Sequence, residues 1–99
     1  METRTVIVAG WYTVDPERRD EVVASYEDLI GRARKAPGCL DFAISADTID
    51  PSRINTFEFW KSEDHLDAWR AVSNSPKAIT PMSMGDMQKH EIRKSGPPF

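Results

Sequence analysis

From Arg4 to Val14 apolar side chains occupy both alternating sets of positions, Val6, Val8, Tyr12 and Val14 on one and Ile7, Ala9 and Trp11 on the other. A strand open to water on one side would alternate apolar with polar residues, so this pattern predicts a strand covered on both faces. Beyond it the period lengthens. Val22, Val23, Tyr26, Leu29, Ile30 and Ala33 fall on one helical stripe, and Arg18, Arg19, Asp20, Glu27, Asp28 and Arg34 fill the rest. An amphipathic helix is expected from about residue 16 to 35. Asp15 is its expected cap and Pro16 its first residue, where a missing N–H costs nothing. Pro37 and Gly38 end it.

Cys39 to Asp47 alternates again, with Leu40, Phe42, Ile44 and Ala46 opposed to Cys39, Asp41, Ala43 and Ser45. The turn-rich stretch from Asp47 to Ser52 then joins this strand, as a hairpin, to a third one over residues 53–61. That strand puts Ile54, Thr56, Glu58 and Trp60 on one face and Asn55, Phe57 and Phe59 on the other. Both faces are again expected to be covered. Ser62 caps a second helix running to about Val72, and Glu63 and Asp64 place negative charge at its positive end. Ser73 to Pro76 breaks the chain, and Lys77 to Gly85 fits neither period because Pro81 would interrupt any helix begun at Pro76. Met87 to Lys94 predicts a short, charged last strand near a sheet edge, and residues 95–99 a tail.

The order β-α-β-β-α-β predicts one α+β domain over residues 1–99. Two right-handed crossovers around a central hairpin give the ferredoxin-like split unit, an antiparallel sheet with both helices on one face. The other face carries apolar residues with no helix to cover them. A second copy of the sheet packed face to face would do so, and a homodimer is expected on that ground. At 99 residues a lone domain buries only about two thirds of the surface its unfolded chain exposes, which favours the same solution.

Thirteen basic against sixteen acidic residues give a net charge of -3, with the basic residues dispersed among acids. That is no footprint for nucleic acid. The one cysteine, Cys39, forms no internal disulfide, and no Cys/His pair has zinc spacing. A reducing, cytoplasmic setting is the expectation, with no metal, no membrane segment and no signal peptide.

Pro37-Gly38-Cys39-Leu40 after the first helix, and Phe57-Glu58-Phe59-Trp60-Lys61-Ser62-Glu63-Asp64 at the strand-to-helix junction, resemble the antibiotic biosynthesis monooxygenase (ABM) superfamily. Val14-Asp15-Pro16-Glu17-Arg18 agrees, so the likeness runs from residue 6 to about 94. The resemblance implies a dimeric α+β barrel with a small pocket in each subunit between sheet and helices. Characterised relatives include cofactor-independent oxygenases of anthrones and quinols, and heme-degrading enzymes. It therefore implies a cofactor-independent oxidation of an aromatic phenol, anthrone or quinol by O₂. The alternative reading is a non-catalytic, small-molecule-binding or stress-associated dimer of the same fold.

Carried over by position, the catalytic Trp of the anthrone oxygenases falls on Trp60. Their Asn falls on Thr56 and their Tyr on Leu66. Asn55 could replace the Asn only if a bulge shifted the register by one residue. The pocket Trp of the heme-degrading relatives falls on Trp69, and their heme-ligating His on Ile79. Isoleucine has no donor for iron, so no heme cofactor is expected. Trp60, Asn55 and Trp69 are thus the catalytic candidates. Tyr26, Thr56, Leu66, Met82, Met84 and His90 are the candidates for the substrate pocket. Trp60 reads more readily still as a core aromatic, the methionines as adaptable packing, and His65 as an exposed first-turn residue. Cys39 follows a helix C-terminus, whose negative end disfavours a thiolate, and it is not expected to be a nucleophile.

Overall fold

The computed structural model describes residues 4–99. Its elements are β1 (Thr5–Thr13), α1 (Arg19–Ala24), α2 (Glu27–Lys35), β2 (Cys39–Ala46), β3 (Arg53–Trp60), α3 (Glu63–Val72) and β4 (Ser83–Ile92). The four strands form one antiparallel sheet in the order β2-β3-β1-β4. This is the ferredoxin-like arrangement expected from the pattern. β1 and β3 lie side by side at the centre, with Val6 opposite Trp60, Val8 opposite Glu58 and Tyr12 opposite Ile54. Among the described residues no helix is long and apolar enough to cross a membrane.

The expected first helix is two helices. Ser25 Oγ donates to Val22 O at 2.6 Å, and the Ser25 and Tyr26 amides turn back to Val22 and Val23, three residues earlier. A serine hydroxyl that bonds the preceding turn bends a helix, and here it ends α1 and lets α2 start afresh. Nor does Asp15 cap α1. Its Oδ1 accepts from the Glu17 amide at 2.9 Å and its carbonyl from the Arg18 amide, which makes a tight turn before the first regular residue, Arg19. Ser62 does cap α3, accepting from the His65 amide at 3.2 Å.

Two bulges account for the other departures. One lies between Cys39 and Asp41, so Leu40 is 46% exposed while Cys39 packs against the helix-side core, reversing the faces expected for those two. The second falls opposite Trp11/Tyr12, where Met84 pairs with Tyr12 and Asp86 with Trp11, leaving Gly85 as the extra residue. The Trp11 ring sits where a Cβ at Gly85 would be, so this position admits only glycine. The bulge resets the alternation, which hid the first four residues of β4 from the sequence pattern.

The core lies between sheet and helices. Val6, Val8, Leu29, Ala33, Phe42, Trp60, Leu66 and Trp69 form its main part, and Tyr12, Val14, Val22 and Ile54 a second part beside α1. Gly38 ties the loop after α2 to the start of α3. At φ 79° its backbone is left-handed, a Cβ would collide with the His65 ring, and its carbonyl accepts from the Lys61 amide at 2.8 Å. This packing explains why Pro37-Gly38 and Ser62-Glu63-Asp64-His65 belong together in one motif.

Candidate functional site

A cavity of about 240 Å³ opens between the sheet and the helices. Its apolar walls come from Leu29, Phe42, Ile44, Trp69 and Met87, and its polar groups from Tyr12, Tyr26, Thr56, Glu58, Arg70 and two serines, Ser73 and Ser75. Apolar walls with a few convergent polar groups are the usual make-up of a small-molecule site. The alternation of β3 delivers Thr56 and Glu58 to it, and the break after Ser25 delivers Tyr26.

Trp69 is fixed on three sides. Its ring stacks on Trp60 at 6.1 Å and 26°, meets Phe42 edge-on at 6.1 Å, and lies under the Arg32 guanidinium at 5.8 Å. Arg32 in turn donates to the Ser73 carbonyl at 2.7 Å, tying α2 to the end of α3. The result is a rigid aromatic wall.

At the other end of the cavity the Tyr12 hydroxyl donates to that of Tyr26 at 3.3 Å. Burial, followed by the Tyr26 hydrogen bond, pushes the Tyr12 hydroxyl well above the usual phenol range, so it stays a proton donor. Between the two ends Thr56 Oγ1 lies 3.1 Å from the Met87 sulfur.

Among the described residues Glu58 is the one carboxylate on the cavity wall. Burial raises its pKa above the ordinary value of 4.5. The hydrogen bond from Trp60 and the charge of Arg70 oppose that rise. Trp60 Nε1 donates to Glu58 Oε1 at 3.1 Å, and among the described residues no side chain donates to Oε2. The alternation of β3 had set Glu58 beside Trp60, yet it was passed over as a candidate. The signal in the sequence is a lone acid sharing a strand face with Ile54, Thr56 and Trp60.

Of the residues singled out in the sequence, Tyr26, Thr56 and Trp69 meet at the cavity. Trp60 and Leu66 are both 0% exposed and stand behind the wall rather than on it. Asn55 lies on the opposite face. No bulge interrupts β3 at this point, and Asn55 is engaged there, accepting from Arg53 Nε at 2.7 Å and donating to Asp47 Oδ1 at 2.9 Å. Met82 and Met84 are 48% and 71% exposed, and Met87 takes the place given to them. His90 pairs with Ile7 on the uncovered face. Burial raises the Cys39 thiol above its usual value, with the charges of Asp41 and Glu58 adding to the effect. Among the described residues no group of three or more His, Cys, Asp or Glu side chains is placed to hold a metal ion.

The family model of the antibiotic biosynthesis monooxygenases matches residues 5–78. The chain belongs to this family. An uncharacterised protein of Synechocystis is 29% identical to it over 62 residues, 63% of this chain and 42% of that protein. The chain thus spans less than half the length of this curated relative. Among solved structures, a protein of Chloroflexus aurantiacus provisionally named an antibiotic biosynthesis monooxygenase superposes with a TM-score of 0.70 at 20% identity, covering 96% of this chain and 98% of that one. A heme-degrading protein of Mycobacterium tuberculosis does so with a TM-score of 0.66 at 15% identity, covering 97% and 99%. At such identities the likeness is one of fold.

Proposed function

We propose that this ABM-family chain is a cofactor-independent monooxygenase of a small electron-rich aromatic, an anthrone, phenol or quinol, and that it works as a homodimer. The observation that carries the reading is the cavity itself, a slot walled by Trp69 and Phe42 with hydroxyl and carboxyl groups at its rim. Its volume of about 240 Å³ falls below the roughly 300–1,000 Å³ of typical ligand pockets. That size suits a compound of two or three fused rings.

In this chemistry a C–H bond of the substrate gives up its proton, and the carbanion transfers electrons to O₂ and forms a C–O bond. The resulting hydroperoxide loses water to leave a carbonyl. One oxygen atom ends in the product and the other in water, and the substrate supplies all the electrons, so no reductant is required. The protein's task is to hold the ring, take the proton and exclude bulk water. Trp69 and Phe42 serve the first, and Thr56 and Tyr26 offer hydrogen bonds to ring oxygens. Heme degradation is not part of the proposal. Ile79, at the position of the ligating His, has no donor for iron and lies outside the cavity lining.

A purified protein free of metal and flavin is expected to consume O₂ with anthrone or dihydroxynaphthalene faster than the spontaneous reaction. A second reading, a binding protein without catalysis, is favoured by one observation: Leu66 and Thr56 stand where the anthrone oxygenases resembled here have Tyr and Asn, and Asn55 faces away. Tight binding of the same compounds with no O₂ uptake above background would decide for it.

A further inference from the structure

We infer that Glu58 is the general base of this cavity, held by Trp60 from behind, and that Tyr26 is the donor to the oxygen of the ionising substrate. The inference rests on the oxygenase reading for its substrate class, but the proton transfer can be measured without oxygen. Glu58 lines the cavity while its Oε1 is held by the Trp60 indole at 3.1 Å, so the carboxylate is positioned by a residue that is not part of the cavity lining. Tyr12 donates to Tyr26 at 3.3 Å, and this leaves the Tyr26 proton for a ligand oxygen. Four residues of β3 separate Glu58 from Ile54, the partner of Tyr12, or roughly 13 Å at about 3.3 Å per residue. Glu58 and the Tyr12–Tyr26 pair therefore meet the cavity at separate points along β3.

In the step proposed, a substrate C–H or O–H bond breaks and its electron pair stays on the aromatic. The proton passes to Glu58 Oε2, while the negative charge develops at an oxygen facing Tyr26. Nothing is oxidised, and no co-reactant is consumed.

The groups that act on Glu58 are few. Trp60 and Arg70 favour its charged form, from β3 and α3. Cys39 faces it from β2 and feels its charge, Tyr12 of β1 and Tyr26 share its cavity, and Lys89 of β4 is bound to Glu63. Burial outweighs the rest and lifts Glu58 towards neutrality, the direction in which a carboxylate becomes a better base.

The experiment is deuterium exchange into the methylene of anthrone in D₂O under nitrogen, with binding followed by quenching of tryptophan fluorescence. Wild-type protein is expected to accelerate exchange. Glu58→Gln should bind anthrone within threefold of wild type and lose the acceleration by about 100-fold or more. Trp60→Phe keeps the carboxylate but removes its hydrogen bond, so its exchange profile should move to higher pH; a merely structural tryptophan would leave the midpoint in place. This second variant keeps the test open if Glu58→Gln fails to fold. Exchange by Glu58→Gln at the wild-type rate would overturn the inference and leave the oxygenase reading intact. Exchange that depends on Glu58 but brings no O₂ uptake in air would overturn the oxygenase reading and support the base. A wild-type protein that neither binds nor exchanges anthrone would overturn both.

Discussion

On the helix-covered face of the sheet Val6, Ile54 and Trp60 are at most 1% exposed, whereas Ile7, Trp11, Phe57 and Phe59 on the other face are half-buried, with no helix of the described residues covering them. The covered face holds its aromatics in a stack and reserves a cavity beside them. On the open face Phe57 and Phe59 meet edge-on at 6.4 Å, and Trp11 lies between Gly85 and the Arg53 guanidinium, 4.6 Å from its ring centre. The open face carries its aromatics on β1 and β3, and at the hairpin end Asp47, Arg53 and Asn55 form a hydrogen-bonded chain. One face of the strand thus borders a cavity and the other an uncovered aromatic surface, and in the proposed function the first serves ligand chemistry and the second association. Asn55, adjacent in sequence to a cavity residue, therefore belongs to the β2–β3 hairpin and not to the cavity.

The sharpest way to break this comparison is a charge on the open face. Phe59→Asp is expected to halve the mass seen by light scattering at micromolar concentration, since a stable interface of at least roughly 1,600 Å² would not tolerate an unpaired carboxylate near its centre. A wild-type chain that is already a folded monomer at that concentration would refute the dimer.

The next largest effect belongs to the covered face. Leu66→Ala, at a position with no exposure, should cost about 2–5 kcal/mol in denaturant unfolding through the cavity it leaves. Asn55→Ala is the contrasting case on the open face. It breaks two hydrogen bonds of the hairpin and should cost about 1 kcal/mol, with turnover per folded molecule unchanged. A hundredfold loss of activity in that variant would return Asn55 to the site.

The smallest effects come from acid, and they have opposite signs on the two faces. Asp47 Oδ2 accepts from the Ile49 and Asp50 amides and Oδ1 from Asn55, and these bonds hold its carboxyl down at about 2. Its contribution is complete above the ordinary value of 3.8 and is lost as pH falls from there towards 2. Glu58 is raised instead. Its native form holds a proton more tightly than the unfolded chain does, so it lowers stability as pH rises above 4.5. Melting temperatures from pH 2 to 8 should show Asp47→Asn flattening the acid limb. Over the same range Glu58→Gln should gain on wild type above pH 4.5.

The order of elements, the hairpin, the Ser62 cap and the division of β3 into two faces were legible because each depends on neighbours within a few residues. Period, turn chemistry and capping are local properties. The Pro37-Gly38 and Ser62-to-His65 motifs were legible too, though their reason, a left-handed glycine under the His65 ring, was not.

What the tertiary structure alone decided depends on partners distant in sequence. Bulges at Leu40 and Gly85 answer to the neighbouring strands; the first moved Cys39 inward, and Met82 and Met84 are exposed outside the cavity lining. Ser25 could have stayed mid-helix; its bond to Val22 turned Tyr26 towards Tyr12, fourteen residues away. Trp60 resembles a catalytic residue in sequence, but only the stacking of Trp69 against it shows that it stands behind the wall, with its indole N–H committed to Glu58. Alternation set Glu58 on the face of Trp60. Its proposed role as a base depends on desolvation by the core and on a place in the cavity wall, and both exist only once the helices have closed over the sheet.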